Sequence, residues 1–168
     1  DKGNQIEWAS YDDIDNKLIN KDIYKYDDKG NLVEEAGYGS AGKLDWKGIC
    51  RYKYSDKGNR IEESWQDADG KLTQKFLYKY DDRGNEIEKA RYSADDRLRM
   101  KYLSMYDDQN NRIEYAVYFH TGKVHKKQIY KYDDKGNRIE QTAYDIEEES
   151  GKTQAISKEQ FVWEYEYQ

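Results

Sequence analysis

The sequence predicts an all-β protein: tandem β-hairpin repeats of about 26 residues forming one long twisted antiparallel meander. Three observations carry that expectation. A turn segment of the type Asp-Lys-Gly-Asn recurs at nearly constant spacing, a second turn ending in a basic residue falls midway between its copies, and the runs between turns alternate apolar and polar residues.

The first turn occurs as Asp1–Asn4, Asp28–Asn31, Asp56–Asn59, Asp82–Asn85, Asp108–Asn111 and Asp134–Asn137, at offsets of 27, 28, 26, 26 and 26 residues. Its third residue must enter the left-handed backbone region, which glycine reaches cheaply and asparagine second best; Asn110 occupies that slot in the fifth copy. The strand before each internal copy ends in Tyr-Lys-Tyr or a relative: Tyr24–Tyr26, Tyr52–Tyr54, Tyr78–Tyr80, Ser104–Tyr106 and Tyr130–Tyr132. The strand after it opens on Ile or Val and continues with an invariable Glu (Glu7, Glu34, Glu62, Glu88, Glu114, Glu140). Two residues further comes a small residue (Ala9, Ala36, Ser64, Ala90, Ala116, Thr142). The second turn follows, as Asn16-Lys17-Leu18, Gly42-Lys43-Leu44, Gly70-Lys71-Leu72, Asp96-Arg97-Leu98 and Gly122-Lys123-Val124. Residues 1–144 thus read as a regular array, and 145–168 as an irregular C-terminal unit with a longer loop around Glu147-Glu148-Glu149 and a final strand from Phe161 to Tyr167. Some 11–13 strands are expected, enough for the sheet to twist, curl or close.

Treating Ala68-Asp69-Gly70 as a three-residue loop sets a register in which Ile61 faces Leu77, Glu63 faces Lys75 and Trp65 faces Thr73. The same rule places Val33 opposite Ile49, Ile87 opposite Leu103, Ile113 opposite Ile129 and Glu35 opposite Lys47. It sets like charges together at Lys89–Lys101 and Arg91–Arg99. One face then carries the Glu, small-residue, Leu and Tyr positions and is nearly constant, which reads as packing. The other carries the aliphatic strip and positions that vary freely, which reads as a surface for solvent or a partner.

Composition supports a folded protein with a thin core. Charged residues make up 38 % of the chain and hydrophobic ones 36 %, yet the apolar share is concentrated in 18 Tyr and 4 Trp. Net charge is −6 with both signs interleaved, so no basic stripe offers phosphate neutralisation and nucleic acid is not an expected partner. No apolar run has membrane-spanning length.

The inventory for catalysis is poor, and the chain is not expected to be an enzyme. His120 and His125 are the only histidines, Cys50 is more than two repeats from either, and carboxylate pairs are too common for one to stand out. No cofactor is expected. Asp67-Ala68-Asp69-Gly70 resembles the start of a calcium loop, but the equivalent turns keep no ligand set, so no metal is expected either. A ligand would meet the variable face, where Trp8, Glu63, Trp65, Arg91 and Tyr115 are the candidates: flat rings can stack on sugars while charged groups hold hydroxyls.

The motif Tyr-Lys-Tyr-Asp-Asp-Lys-Gly-Asn at 24–31 and 130–137 resembles the YD, or RHS-type, repeats of bacterial surface and toxin proteins. In layout the chain is more loosely similar to MORN repeats. The YD resemblance implies a bacterial origin, a cell-surface, periplasmic or secreted location, and a non-catalytic role in surface interaction or structural display. A carbohydrate-binding module on the variable face is the alternative, and a fragment of a toxin-encapsulating shell a third. Partners would be a protein or a glycan, with edge-to-edge self-association through unpaired strands.

Overall fold

The computed structural model describes residues 4–149 and 152–165, with the side chains of 45–48, 148–149, 152–154 and 156–157 excluded. Twelve strands follow one another: β1 (Glu7–Tyr11), β2 (Leu18–Tyr26), β3 (Leu32–Gly39), β4 (Leu44–Tyr54), β5 (Arg60–Gln66), β6 (Leu72–Tyr80), β7 (Glu86–Ser93), β8 (Leu98–Tyr106), β9 (Arg112–Phe119), β10 (Val124–Tyr132), β11 (Arg138–Glu149) and β12 (Lys152–Val162). They form one open antiparallel sheet in strictly sequential order, with no helix among the described residues. The opening turn expected at Asp1–Asn4 and the strand end at Tyr167 lie outside the described residues. Two compact units divide the chain, Asp1–Leu77 with Tyr92–Arg97 and Tyr78–Arg91 with Leu98–Gln168.

The turns form for the reason the sequence suggests. Gly30, Gly58, Gly84 and Gly136 take φ of 82–89°, and Asn110 in the same slot takes 66°. The second turn uses this conformation too, through glycine at Gly42, Gly70 and Gly122 and through Asn16 (φ 53°) and Asp96 (φ 60°). An aspartate just ahead of each first turn locks it. The Asp81 carboxylate accepts from the backbone N–H of Arg83 (3.0 Å) and of Asn85 (2.8 Å) with one oxygen, and from the Asn85 side-chain amide (2.9 Å) with the other. Asp27–Asn31, Asp107–Asn111 and Asp133–Asn137 repeat this clamp, while Ser55 replaces the aspartate before Asn59. These bonds favour the ionised carboxylate and hold Asp27, Asp81, Asp107 and Asp133 below the usual aspartate range.

The second tyrosine of each Tyr-Lys-Tyr ties one repeat to the one before it. Its hydroxyl donates to the backbone carbonyl of the residue that follows the previous turn: Tyr26 to Gln5, Tyr54 to Leu32, Tyr106 to Glu86 and Tyr132 to Arg112. Tyr165 does the same to Arg138, so the irregular C-terminal unit rejoins the repeat. The invariable glutamate has a matching cause. Lys25 is directly opposite Glu34, Lys53 opposite Glu62 and Lys131 opposite Glu140, and each pair closes at 2.5–2.9 Å. Where Met105 replaces the lysine, Glu114 turns to Lys127 at 2.8 Å.

The expected register is corrected. Gln66 faces Leu72 as the loop length requires, but Thr73 is then an unpaired bulge, and beyond it Glu62 faces Leu77, Ser64 faces Lys75 and Trp65 faces Gln74. His125 is bulged in the same way in β10, so Ile129 meets Glu114 rather than Ile113. On the side of the first turn, the skipped residues are Val33, Ile61, Ile113 and Ile139, the members of the supposed aliphatic strip. Ile49 meets Ala36, and Glu35 meets Cys50 rather than Lys47, whose side chain is outside the described residues. A bulge inserts one residue and re-aims the side chains beyond it, which a loop-length rule does not contain.

The bulges also correct the assignment of faces. Ile23 and Ile49 flank Ala36 on the constant face, and Leu103 and Lys127 flank Ala116 there, so the small residue is buried between longer neighbours, while Tyr24, Tyr52 and Tyr130 lie opposite Glu35, Glu63 and Gln141 on the variable face. The variable face is packed as well: Cys50, Tyr78, Val117 and Tyr130 are all buried on it.

Candidate functional site

With the register settled, the variable face can be built residue by residue in each unit. In the first, Tyr52 lies opposite Glu63 and Cys50 opposite both Trp65 and Glu35. The Trp65 indole N–H donates to Glu63 (2.7 Å), the Arg60 guanidinium pairs with the same carboxylate (3.2 Å) and sits 5.5 Å from the Tyr52 ring, and the Tyr52 hydroxyl donates to Glu35 (3.2 Å). Cys50 is 1 % exposed, and burial pushes its thiol up to about 11. A thiol held in its protonated form at neutral pH is a poor nucleophile.

In the second unit the same face forms a ladder of rings and cations. Tyr102 stacks on Tyr115 at 6.4 Å; Arg112 lies over Tyr115 (5.1 Å) and over Tyr130 (5.3 Å); Arg138 lies over Tyr130 (5.7 Å) and over Trp163 (4.7 Å); Trp163 stacks on Phe161 at 6.3 Å. Gln128 accepts from the Tyr130 hydroxyl at 2.7 Å. Burial raises the Tyr115 phenol above its ordinary value, so the ring stays neutral at physiological pH. Arg112 and Arg138 are exposed and make no ion pair among the described residues.

Of the residues singled out from the sequence, the structure joins Glu63 and Trp65 directly. Trp8, 43 % exposed, stands opposite Asp22 on β1, four strands away from β5 in the sheet order. Arg91, exposed on β7, and Tyr115, on β9, belong to the second unit. Sequence reasoning missed Arg60, Arg112, Arg138, Tyr130 and Trp163. The signal was present: an arginine follows the turn asparagine at Asn59-Arg60, Asn111-Arg112 and Asn137-Arg138, three residues ahead of a variable-face position. Asp67, first residue of the supposed calcium loop, uses its carboxylate within the turn, accepting from the N–H of Asp69 and Lys71. A shallow apolar pocket in the second unit is lined by Leu98, Leu103, Tyr118, Phe119 and His120.

This architecture defines the chain as an all-β, antiparallel hairpin-repeat protein. No protein-family model and no curated protein matches the sequence. Among solved structures it is similar to a chain in the crystal structure of TcdB2-TccC3-Cdc42, with a TM-score of 0.51 and 16 % identity over 93 % of this chain and 10 % of that one. A chain of the Photorhabdus luminescens Tc holotoxin pore is matched at a TM-score of 0.49 and 17 % identity, over 83 % of this chain and 9 % of that one. The first likeness supports the fold alone, and the chain spans about a tenth of the toxin chain it matches. No helix among the described residues is long and apolar enough to cross a membrane.

Proposed function

We propose that this chain is a non-catalytic repeat module with a structural, protein-contacting role in a bacterium, outside the cytoplasm. The observation that carries the reading is where the recurring residues go. The turn aspartates, the Lys–Glu pairs and the Tyr hydroxyls all bind one hairpin to itself or to the preceding one. The recurring polar groups therefore hold the sheet together, and the variable positions are left to distinguish one stretch of surface from another.

A second reading, a section of a toxin-enclosing shell, is favoured by the likeness of nearly the whole chain to part of a Tc toxin component. The carbohydrate reading has less support. The Tyr115 ring is shared between Tyr102 and Arg112, and the Trp65 N–H is committed to Glu63, which leaves Trp8 as the exposed ring of the three. Titration of a glycan panel against tryptophan fluorescence tests the reading. No saturable quench is expected; a quench that Trp8→Ala abolishes would overturn protein contact in favour of sugar binding.

A further inference from the structure

We propose that the ring-and-arginine ladder of the second unit is a docking strip for an acidic peptide segment in the polyproline-II conformation, with a carboxylate at every third residue. The inference rests on the protein-contact reading above and names the partner's chemistry.

The argument starts from the two arginines. The rings of Tyr115, Tyr130 and Trp163 lie 4.7–5.7 Å from the two guanidiniums, and Arg112 also donates to the Tyr130 hydroxyl (3.3 Å), which uses one of its five N–H donors and leaves others for a ligand. No carboxylate of the described chain pairs with either, whereas the equivalent Arg60 is occupied by Glu63. Both lie near one ring, Tyr130, at 5.3 and 5.7 Å from its centroid, which limits their separation to about 11 Å, and their strands β9 and β11 are two strand spacings, about 10 Å, apart. A polyproline-II helix repeats every three residues, or about 9.3 Å, and presents residues i and i+3 on one side. A fully extended strand would turn residue i+3 to the other side.

Charge selects the same partner. In this overall acidic chain, Lys89, Arg91, Arg112, Lys126 and Arg138 outnumber Glu86, Asp145, Glu147 and Glu159 by one on this face of the unit. The exposed turn residues Asp108 and Asp134 rim the outer end of the strip and repel an acidic ligand there, so the segment crosses on the inner side, over Tyr115 and Tyr130. Aromatic rims of this kind suit polyproline-II ligands, which arrive already ordered.

The test is fluorescence anisotropy with the labelled peptide (Glu-Pro-Pro)4 against the full chain at low salt, with (Lys-Pro-Pro)4 and a sulfated polysaccharide in parallel. Saturable binding of the acidic peptide is expected, weakening at least tenfold in Arg112→Gln and in Arg138→Gln and unchanged in Arg60→Gln. Arg112→Lys, which keeps the charge and loses the fork, should fall between. Far-UV circular dichroism and the thermal midpoint show that each variant is folded. Equal binding by the folded Arg112→Gln/Arg138→Gln double variant, no binding of the acidic peptide, or binding of the polysaccharide alone overturns the proposal. The first two results leave the protein-contact reading standing; the glycan titration with Trp8→Ala decides that reading separately.

Discussion

The two compact units share one backbone frame and put opposite charge on the same face. In the first, Asp22, Glu35 and Glu63 stand against Arg60, and the glutamates are held by Tyr52, Trp65 and Arg60. In the second, arginines lie over rings and make no ion pair among the described residues. The turn clamps, cross-strand Lys–Glu pairs and tyrosine ties continue through both units with little change. A hairpin-repeat sheet of this kind therefore separates two tasks: residues at fixed positions define the frame, and residues between them set the chemistry of each stretch of face.

Acid should disturb this balance most. The first turns of the second unit depend on Asp81, Asp107 and Asp133, whose carboxylates are held below their ordinary value by bonds that exist only in the folded chain. A depressed folded value contributes stability above the unfolded aspartate value of about 3.9, and that contribution is lost as pH falls through the folded values. The turn at Ser55–Asn59 has a hydroxyl in the same place and does not titrate there. Amide exchange measured between pH 5 and pH 2 should therefore show the Asn85, Asn111 and Asn137 N–H groups losing protection, with Asn59 changing least. Equal loss at all four would mean that the clamp does not set turn stability.

A smaller effect tests the packed constant face. Ala116 is 2 % exposed between Leu103 and Lys127, so Ala116→Leu should overpack the site and cost about 1–3 kcal/mol in urea denaturation. The same change at the half-buried Ser64 should cost less. The smallest effect concerns the one repeat whose lysine is missing. Met105 is 55 % exposed and directly opposite Glu114, so Met105→Lys should restore the pair and stabilise by about 0.2–1 kcal/mol, with the gain fading in high salt. A gain that persists in high salt would point to removal of the exposed apolar side chain as its source.

Much of the frame was legible because its causes are local. Asn110 in a glycine slot, the spacing of the Tyr-Lys-Tyr strands and the small residue five positions after each turn asparagine all identify features that the structure contains. The faces were harder to read. Loop length set the register of Gln66 with Leu72, and the bulges at Thr73, His125 and the residues after the turn arginines then displaced every expected aliphatic pair that can be followed. A bulge depends on how the neighbouring strand accommodates twist, information that no single hairpin segment carries. The candidate site suffered for the same reason: Glu63 and Trp65 were placed correctly on one face, but Arg112 and Arg138, which reach across strands to Tyr130, were passed over as ordinary residues after a turn.

The sequence by itself determined the strand order, the turn positions and the number of repeats, because glycine, asparagine and aspartate bend the chain through interactions within five or six residues of each other. Only the tertiary structure decided which side chains share a face, which glutamates and arginines are paired, and which cations have no ion-pair partner among the described residues. Those outcomes depend on which residues strand pairing brings together, from Lys25 and Glu34 within one hairpin to Arg138 and Trp163 in successive ones, and on how every bulge re-aims them.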